Sequence, residues 1–433
     1  MNKLKNIFKN TFVKNVMLIT GGTAFAQILT FALSPVITRI YPPEQYGVIT
    51  LYTAVLSGIS FLGSMNYEMG IPIAKSKEKA INILLLSVIT LILFNSIITL
   101  ILIFFGDFLL VALNGGELIE YKFLIPVGVL FLGLYNIFTQ WAYRKKLFNS
   151  ITKTKFSQSI SQNVISIGFG LLGTGPVGLI IGKILGQSAG ITTLFYPLIK
   201  NDRYLLKEIR RHEILWAAKR YINFPLFTTP RRFLGDITIS LPIFFIASLY
   251  GHQAVGLFGL ANSIVQLPIN LIGTSVSNVF YAESASLKGK NPKRVKQLSN
   301  KLLRNLIVIG IIPLIILIFL GPILFSFFFG DNWSEAGVYA RLLSLAIFSR
   351  LIFKPISNIF DIYEKQKQAL LINVLSLALV ILAFGIVSFL SLNSYWAVGL
   401  YSIAMSIVYF MQFLLAQRIL NNEINIFENK TEM

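Results

Sequence analysis

The sequence predicts an all-α polytopic membrane protein, with about twelve transmembrane helices in two six-helix bundles related by pseudo-two-fold symmetry. Three observations carry that expectation. The 433 residues are 55% hydrophobic and only 13% charged, more apolar surface than a soluble core hides. Runs such as INILLLSVITLILFNSIITLILIFF at 81–105 exceed the roughly 20 residues that cross a bilayer. Third, TRIYPPEQYG at 38–47 has a counterpart, ASLYGHQAVG at 247–256, each framed by apolar runs and preceded by Pro35 or Pro242. Unbroken apolar runs exclude the alternating strands of a β-barrel, and a helix satisfies its own backbone donors in lipid.

Charge clusters and turn signals delimit the spans at roughly 16–38, 46–67, 80–105, 119–141, 157–173, 176–199, 222–249, 253–280, 302–329, 336–361, 368–392 and 394–418. The first follows Lys3, Lys5, Lys9 and Lys14; AFA at 24–26 offers a cleavage-like site, but apolar sequence runs on to Ile40 and indicates a retained span. Spans one and two, and again seven and eight, meet at the repeated turns YPPEQYG and YGHQAVG, where Pro and Gly reverse the chain. KSKEK opens the third and Asp107 follows it; Glu117 and Glu120 precede or open the fourth, which Arg144 follows. GTGP (173–176) separates five from six, and SLNS (391–394) separates eleven from twelve.

The net charge of +20 does not indicate a nucleic-acid partner, because the Lys and Arg sit in short loops on alternating sides. One side holds the N-terminal lysines, Lys75, Lys77, Lys79, Arg144–Lys146 with Lys153 and Lys155, the 200–220 cluster, Lys288–Arg304, Lys365, Lys367 and Arg418. The other holds Glu44, Asp107, Glu117, Glu120, Asp331 and Glu335, with Lys122 as the exception. The positive-inside rule then puts both termini in the cytoplasm. The chain has no Cys, and its two His, His212 and His252, are far apart, so no metal constellation or other cofactor site is expected.

The longest loop, KNDRYLLKEIRRHEILWAAKRY at 200–221, reads as a basic amphipathic linker. Leu205, Leu206, Ile209, Ile214, Leu215 and Trp216 are expected in the membrane interface, with the Arg and Lys on anionic lipid. The expected division is 1–199, an N-terminal six-helix bundle; 200–221, the cytoplasmic linker; and 222–433, a C-terminal six-helix bundle. Six is even, so both halves cross in the same sense, and their symmetry axis lies along the membrane normal.

The stretches LSPVITRIYPPEQYGVITLYTAVLS (33–57), YEMGIPIAKSKEKA (67–80), AVGLFGLANSIVQLPINLIGTSVSNVFYAESA (254–285) and LFSFFFGDNWSEAGVYARLLS (324–344) resemble the oligosaccharide flippases of polysaccharide biosynthesis. These are the Wzx-type O-antigen and capsule translocases of the multidrug/oligosaccharidyl-lipid/polysaccharide (MOP) exporter superfamily. The resemblance implies a MOP/MATE-like fold in the bacterial inner membrane and alternating access between two bundles. It implies movement of undecaprenyl-diphosphate-linked repeat units from the cytoplasmic to the outer leaflet, with polymerase and chain-length proteins of the same pathway as partners.

A diphosphate cannot cross hydrocarbon unaided, so a flippase needs cations inside its spans, each costing about 2.5–3.5 kcal/mol at a span centre on insertion scales. Span seven carries Arg231, Arg232 and Asp236 after Pro225 and Pro230; Arg232 and Asp236 at i, i+4 are expected to pair, leaving Arg231 for phosphate. Span ten carries Arg350 and Lys354 on one face, with Asp361 beyond, and Lys183 stands alone in IIGKILGQ. Against these diphosphate candidates stands the plain reading that such cations snorkel or pair internally. Arg39 and Arg341 sit near span ends and read as anchors. Asp236, Glu68 and Glu283 are candidates for gating or for a coupling proton or sodium ion, the last two at equivalent ends of spans two and eight.

Amides suited to sugar hydroxyls are Gln27, Asn66, Asn136, Gln140, Gln158, Gln162, Asn163, Asn262, Gln266, Asn270, Asn278 and Asn358; singly, each reads more readily as interhelical glue. A MATE-like ion-coupled exporter of drugs or organic cations is the alternative, but its cavity calls for unpaired carboxylates, whereas cations predominate here. An enzyme of the same pathway is not expected, since the outer loops are short and no nucleotide-binding glycine motif is present. The repeated turns are expected to face one another, so a disulfide joining positions 44 and 253 should stop transport.

Overall fold

The computed structural model describes residues 11–431 apart from Phe61 and Pro268. The basic residues Lys3, Lys5 and Lys9 lie outside the described residues, as does the Lys14 side chain. The described chain is helical, with no strand among the described residues. It packs as two compact units, 1–256 and 257–433.

The first unit contains α1 (Thr11–Ile40), α2 (Pro43–Ser60), α3 (Lys77–Ala112), α4 (Leu124–Arg144), α5 (Phe148–Leu171), α6 (Val177–Asn201), the short α7 (Arg211–Arg220) and the first part of α8 (Thr229–Val265). The second contains the rest of α8, α9 (Thr274–Leu287), α10 (Pro292–Phe329), α11 (Ser334–Phe353), α12 (Ile359–Ile362), α13 (Gln366–Phe389) and α14 (Ser394–Thr431). α8 breaks at Gly251, whose φ of 79° and ψ of −175° suit only a residue without Cβ.

Nine helical segments among the described residues are long and apolar enough to cross a membrane. One, the 64 residues of Phe224–Leu287, contains both expected spans seven and eight. The expected spans 46–67 and 157–173 fall on α2 and α5, which are helices but outside that apolar set. α2 stops at Ser60, where the chain enters a series of turns through Asn66, a residue with φ 57°. α5 carries Lys153, Lys155, Gln158, Gln162 and Asn163, so it has too little apolar surface to face lipid by itself.

Elsewhere large apolar side chains point outward. Ile92, Leu93, Phe104, Phe105 and Phe108 project from α3, and Val308, Ile312, Phe319, Ile323 and Phe327 from α10, all more than half exposed within the protein. Apolar belts of that extent are untenable in water and ordinary in a bilayer. The chain is a multi-pass membrane protein.

Two long helices begin earlier than apolarity alone predicts, because each is capped. The Ser76 hydroxyl accepts from the Lys79 N–H at 3.2 Å, starting α3, and Asn291 Oδ1 accepts from the Arg294 N–H at 2.9 Å, with Pro292 at the first position of α10.

α5 is shielded by packing against α1 on one side and α6 on the other. The α5–α6 approach depends on glycines every fourth residue. A Cβ at Gly182 would lie 2.1 Å from Ser166 Oγ, at Gly186 2.7 Å from Gln162 Cβ, and at Gly190 2.9 Å from Gln158 Nε2. Small residues at this spacing let backbones close up in lipid. Leu51 and Tyr52 of α2, Ile137 and Trp141 of α4 and Leu194 of α6 fill the core of the first unit. Val295, Ile356, Ile359, Ile372, Val408 and Leu420 fill that of the second.

The linker docks on protein. Lys145 Nζ meets Asp202 Oδ1 at 2.6 Å, Asn82 bonds both the Glu208 carbonyl and the Arg210 N–H, and Lys79 sits 4.1 Å over the Trp216 ring. Leu205, expected in the membrane interface, is instead wholly buried within the first unit because the 202–208 turn is pinned from both ends. Leu206, Leu215 and Trp216 remain exposed. Lys122, the exception to the charge alternation, is paired with Asp107 at 2.6 Å.

Candidate substrate and gating sites

The first constellation forms where the turn after α2 meets the start of α8. The chain enters α8 through a π-helical turn at Phe224–Thr228, with Pro225 in its first turn. Arg232 Nη1 donates to Asn66 Oδ1 at 2.8 Å, and Asn66 Nδ2 donates to Thr229 Oγ1 at 2.9 Å. Asn66 has no exposed surface, and its left-handed backbone is one that Asn tolerates better than most residues. Beside it Ser64 Oγ donates to Glu68 Oε2 at 2.6 Å. Burial holds the Glu68 carboxyl above the usual carboxylate range, while the Ser64 hydrogen bond and the Arg232 charge pull it back.

This corrects the expected Arg232–Asp236 pair. Among the described residues no carboxylate lies within 4 Å of Arg232; its guanidinium turns to Asn66 and acts on Glu68 and Asp236 only through its field. The Asn66 amide is wholly buried, beyond the reach of water, whereas the Asp236 carboxylate one helical turn from Arg232 is only partly buried. Arg231 is exposed on α8. Glu283 is exposed on α9 and its own carbonyl accepts from Ser286 Oγ, so the environment of Glu68 is not repeated there. Ser64 and Thr229 carried no signal in the sequence: Ser64 meets Glu68 four residues on in a turn that no periodicity marks, and Thr229 meets Asn66 from 163 residues away.

The second constellation lies wholly in the second unit. α11 ends at Phe353 because Pro355 supplies no N–H; the chain tightens to a 3₁₀ turn over Lys354–Asn358. The Lys354 N–H still bonds the Arg350 carbonyl, so the two side chains leave the same side of the chain, as their spacing predicts. Arg350 Nη1 donates to Gln266 Oε1 at 3.2 Å, and Gln266 Nε2 donates to Asn262 Oδ1 at 2.8 Å. Arg350 also acts on Tyr401 and Tyr409 of α14. Among the described residues neither Arg350 nor Lys354 has a carboxylate within 4 Å; Asp361 is exposed and reaches Lys354 only through its field. Internal ion pairing therefore does not account for these two cations.

Lys183 lies on α6, partly buried, with Lys155 of α5 near enough to act on it. The structure groups it with the polar helix α5.

The repeated turns meet. Positions 43 and 47 are equivalent by the repeat to 252 and 256, and a Cβ built at Gly47 would lie 2.1 Å from the His252 carbonyl oxygen. One at Gly256 would lie 1.8 Å from the Pro43 carbonyl oxygen. The contact is reciprocal: each glycine seats on the residue equivalent to the other's own partner. His252 Nε2 lies 3.6 Å from Glu117 Oε1 on the neighbouring loop.

The described chain is a multi-pass helical bundle that holds cations inside its spans. By fold the chain is similar to a multidrug resistance MATE family transporter of the MOP superfamily in an inward-facing conformation (TM-score 0.77, 17% identity, 92% of this chain and 96% of that one). It is similar also to the lipid II flippase MurJ in an inward closed conformation (TM-score 0.71, 16% identity, 95% and 91%). The family of polysaccharide biosynthesis proteins matches residues 36–338, and the chain belongs to that family. A curated relative, the teichuronic acid biosynthesis protein TuaB of Bacillus subtilis (strain 168), is 22% identical over 247 residues. That match spans 54% of this chain and about half, 48%, of the relative.

Proposed function

We propose that the protein is a flippase that moves undecaprenyl-diphosphate-linked oligosaccharides from the cytoplasmic to the outer leaflet of the bacterial inner membrane. The product would feed synthesis of O-antigen, capsule or another surface polysaccharide. Membership of the polysaccharide biosynthesis family supports the substrate class. The observation that carries the reading is Arg350 and Lys354, two cations on one side of a bent span with no carboxylate within 4 Å among the described residues. Two unpaired cations in a bilayer cost several kcal/mol and are retained where an anion meets them; a diphosphate is such an anion. Arg231, exposed beside the Asn66–Arg232 network, is the proposed second contact.

Alternating access is the proposed mechanism, between bundles divided at the 200–221 linker. The Gly47–Gly256 contact would close one end of the pathway, and the Glu68–Asn66–Arg232–Thr229 network would stabilise the opposite end. Glu68 and Asp236, both in the field of Arg232, are the proposed groups for a coupling proton or sodium ion, with Glu283 as a proposed gating residue. Both termini are proposed to be cytoplasmic, and polymerase and chain-length proteins to take the product.

Binding tests the phosphate assignment. Purified protein should hold undecaprenyl diphosphate at least about tenfold more tightly than undecaprenol, and Arg350→Ala/Lys354→Ala should erase that preference. Equal binding of the two lipids by the native protein, or an unchanged preference in the variant, removes these residues from the site. Preferential binding of a lipophilic organic cation would favour the drug-exporter alternative instead.

A further inference from the structure

An apolar cavity of about 200 Å³ lies wholly within the second unit, walled by the end of α8, the turn after it, α10 and α11. The sequence leaves room for it. α10 and α11 touch backbone to backbone where a Cβ on Gly337 would lie 2.5 Å from the Gly321 carbonyl oxygen. Further along the same pair the lining has Gly310 on α10 and Ser344 on α11 where larger side chains would fill the seam. Beyond α8 the chain takes a π-helical turn at Ile269–Gly273, wider than an α-helical one.

Val265, Ile269, Ser344 and Leu351 in the lining are buried, whereas Ile316 is 41% exposed. Ile316 belongs to the outward row of α10 that includes Ile312, Phe319 and Ile323, so the cavity opens on the side that this helix presents to the bilayer. Ser344 is the one polar side chain among the described residues of the lining, and its hydroxyl already donates to the Arg341 carbonyl at 2.6 Å. Nothing there asks for a hydrogen bond, so water gains nothing by entering and the fitting occupant is apolar. A dry cavity of about 150 Å³ takes a guest the size of benzene, and this one suits a branched unit of about five carbons.

The neighbours of the lining set the class of the occupant. Val265 and Leu351 line the cavity, and the adjacent residues, Gln266 and Arg350, are joined by a hydrogen bond of 3.2 Å. Lys354 follows one turn on from Arg350. Room for one chain beside two cations fits a single-chain amphiphile with a multiply charged head. A phospholipid brings two chains and a single phosphate. We propose that the cavity is a tail site that seats the isoprene unit next to the diphosphate while Arg350 and Lys354 hold the head. The protein then selects its carrier lipid by chain as well as by charge. This rests on the flippase reading and adds chain recognition to it.

Geranylgeranyl diphosphate and the straight-chain alkyl diphosphate of equal carbon number share one head and serve as probes for the purified full-length protein. The native protein should hold the branched lipid at least about fivefold more tightly. Leu314→Phe and Ile347→Phe fill the cavity from opposite walls, and each should bring the two affinities towards equality; Ile347→Leu, which keeps the volume, should preserve the ratio. A diazirine on the first isoprene unit, bound to the native protein, should label the stretches 310–317 or 344–351, and excess phosphatidylglycerol should not displace it. That labelling needs no variant, so it decides the matter where a Phe variant folds poorly. Equal affinities in the native protein, an undiminished ratio in a well-folded Phe variant, or label confined to other helices overturns the tail site and leaves the diphosphate site standing. Displacement by phosphatidylglycerol gives the cavity to membrane phospholipid and overturns the tail site likewise. Binding of neither diphosphate overturns the phosphate site, and the tail site with it.

Discussion

Replacing Gly47 or Gly256 by Ala should open the end of the pathway where the repeated turns meet. The new methyl at Gly256 would sit 1.8 Å from the Pro43 carbonyl oxygen and 2.9 Å from the Gly47 nitrogen; that at Gly47 would sit 2.1 Å from the His252 oxygen and 2.9 Å from its carbon. All four neighbours are backbone atoms, so no side chain can swing aside. To restore an ordinary 3.4 Å contact the two backbone segments must part by about 1.3 Å for Gly47→Ala and about 1.6 Å for Gly256→Ala. Overpacking of this kind costs about 1–3 kcal/mol. If the contact forms in one state only, the cost falls on that state alone, and its population drops about 5–150-fold relative to the open one.

The chain lacks cysteine, so the assay needs no background removed. Glu44→Cys with Gln253→Cys occupies equivalent, exposed repeat positions and should form a disulfide that arrests transport. Adding Gly47→Ala should cut the yield of that disulfide at least about fivefold and raise maleimide labelling of each cysteine. Unchanged disulfide yield and labelling in both alanine variants would show that the contact is static packing and would refute its role in closure.

Other consequences follow from single contacts. Asn66→Ala leaves Arg232 and Thr229 without their buried partner and should lower melting stability by about 1–3 kcal/mol; Asn66→Asp, which keeps the Arg232 bond, should recover part of it. Asp107→Asn breaks the exposed pair with Lys122 and should change stability by no more than about 1 kcal/mol, measured as detergent melting. The hydrogen bond and charge of Lys288 hold Glu364 below its ordinary carboxylate range. A depressed carboxylate stabilises the fold above its ordinary pKa and loses that contribution as pH falls through the lowered value. Melting at low salt should therefore fall on acidification below about pH 4, by more in the native protein than in Glu364→Gln, and equal slopes would remove the pair from the account.

What the sequence made legible was apolar extent. Runs on α3, α10 and α13 announce themselves by length, and the helical class follows. α5 was found by its flanking GTGP turn and not by its composition, because a span that packs between α1 and α6 needs no lipid-facing surface. Partner choice was not legible. The i, i+4 spacing of Arg232 and Asp236 describes one helix, whereas the bond that forms reaches Asn66, which the turn after α2 delivers from 166 residues away. Leu205 shows the same limit, since burial depended on Lys145 capturing Asp202. The Arg350–Lys354 register was readable because it is local to α11. The reciprocal glycine contact was half visible: the repeat named equivalent positions, and only the fold showed that they touch.

Leaflet access in proteoliposomes tests the central claim most directly. A fluorescent undecaprenyl-diphosphate oligosaccharide placed in one leaflet should become accessible to a membrane-impermeant quencher on the other side when the native protein is present. Arg350→Ala/Lys354→Ala should slow that transfer towards the rate of empty liposomes. Transfer by the variant at the native rate would contradict the assigned phosphate site, and no transfer by the native protein would contradict the flippase itself.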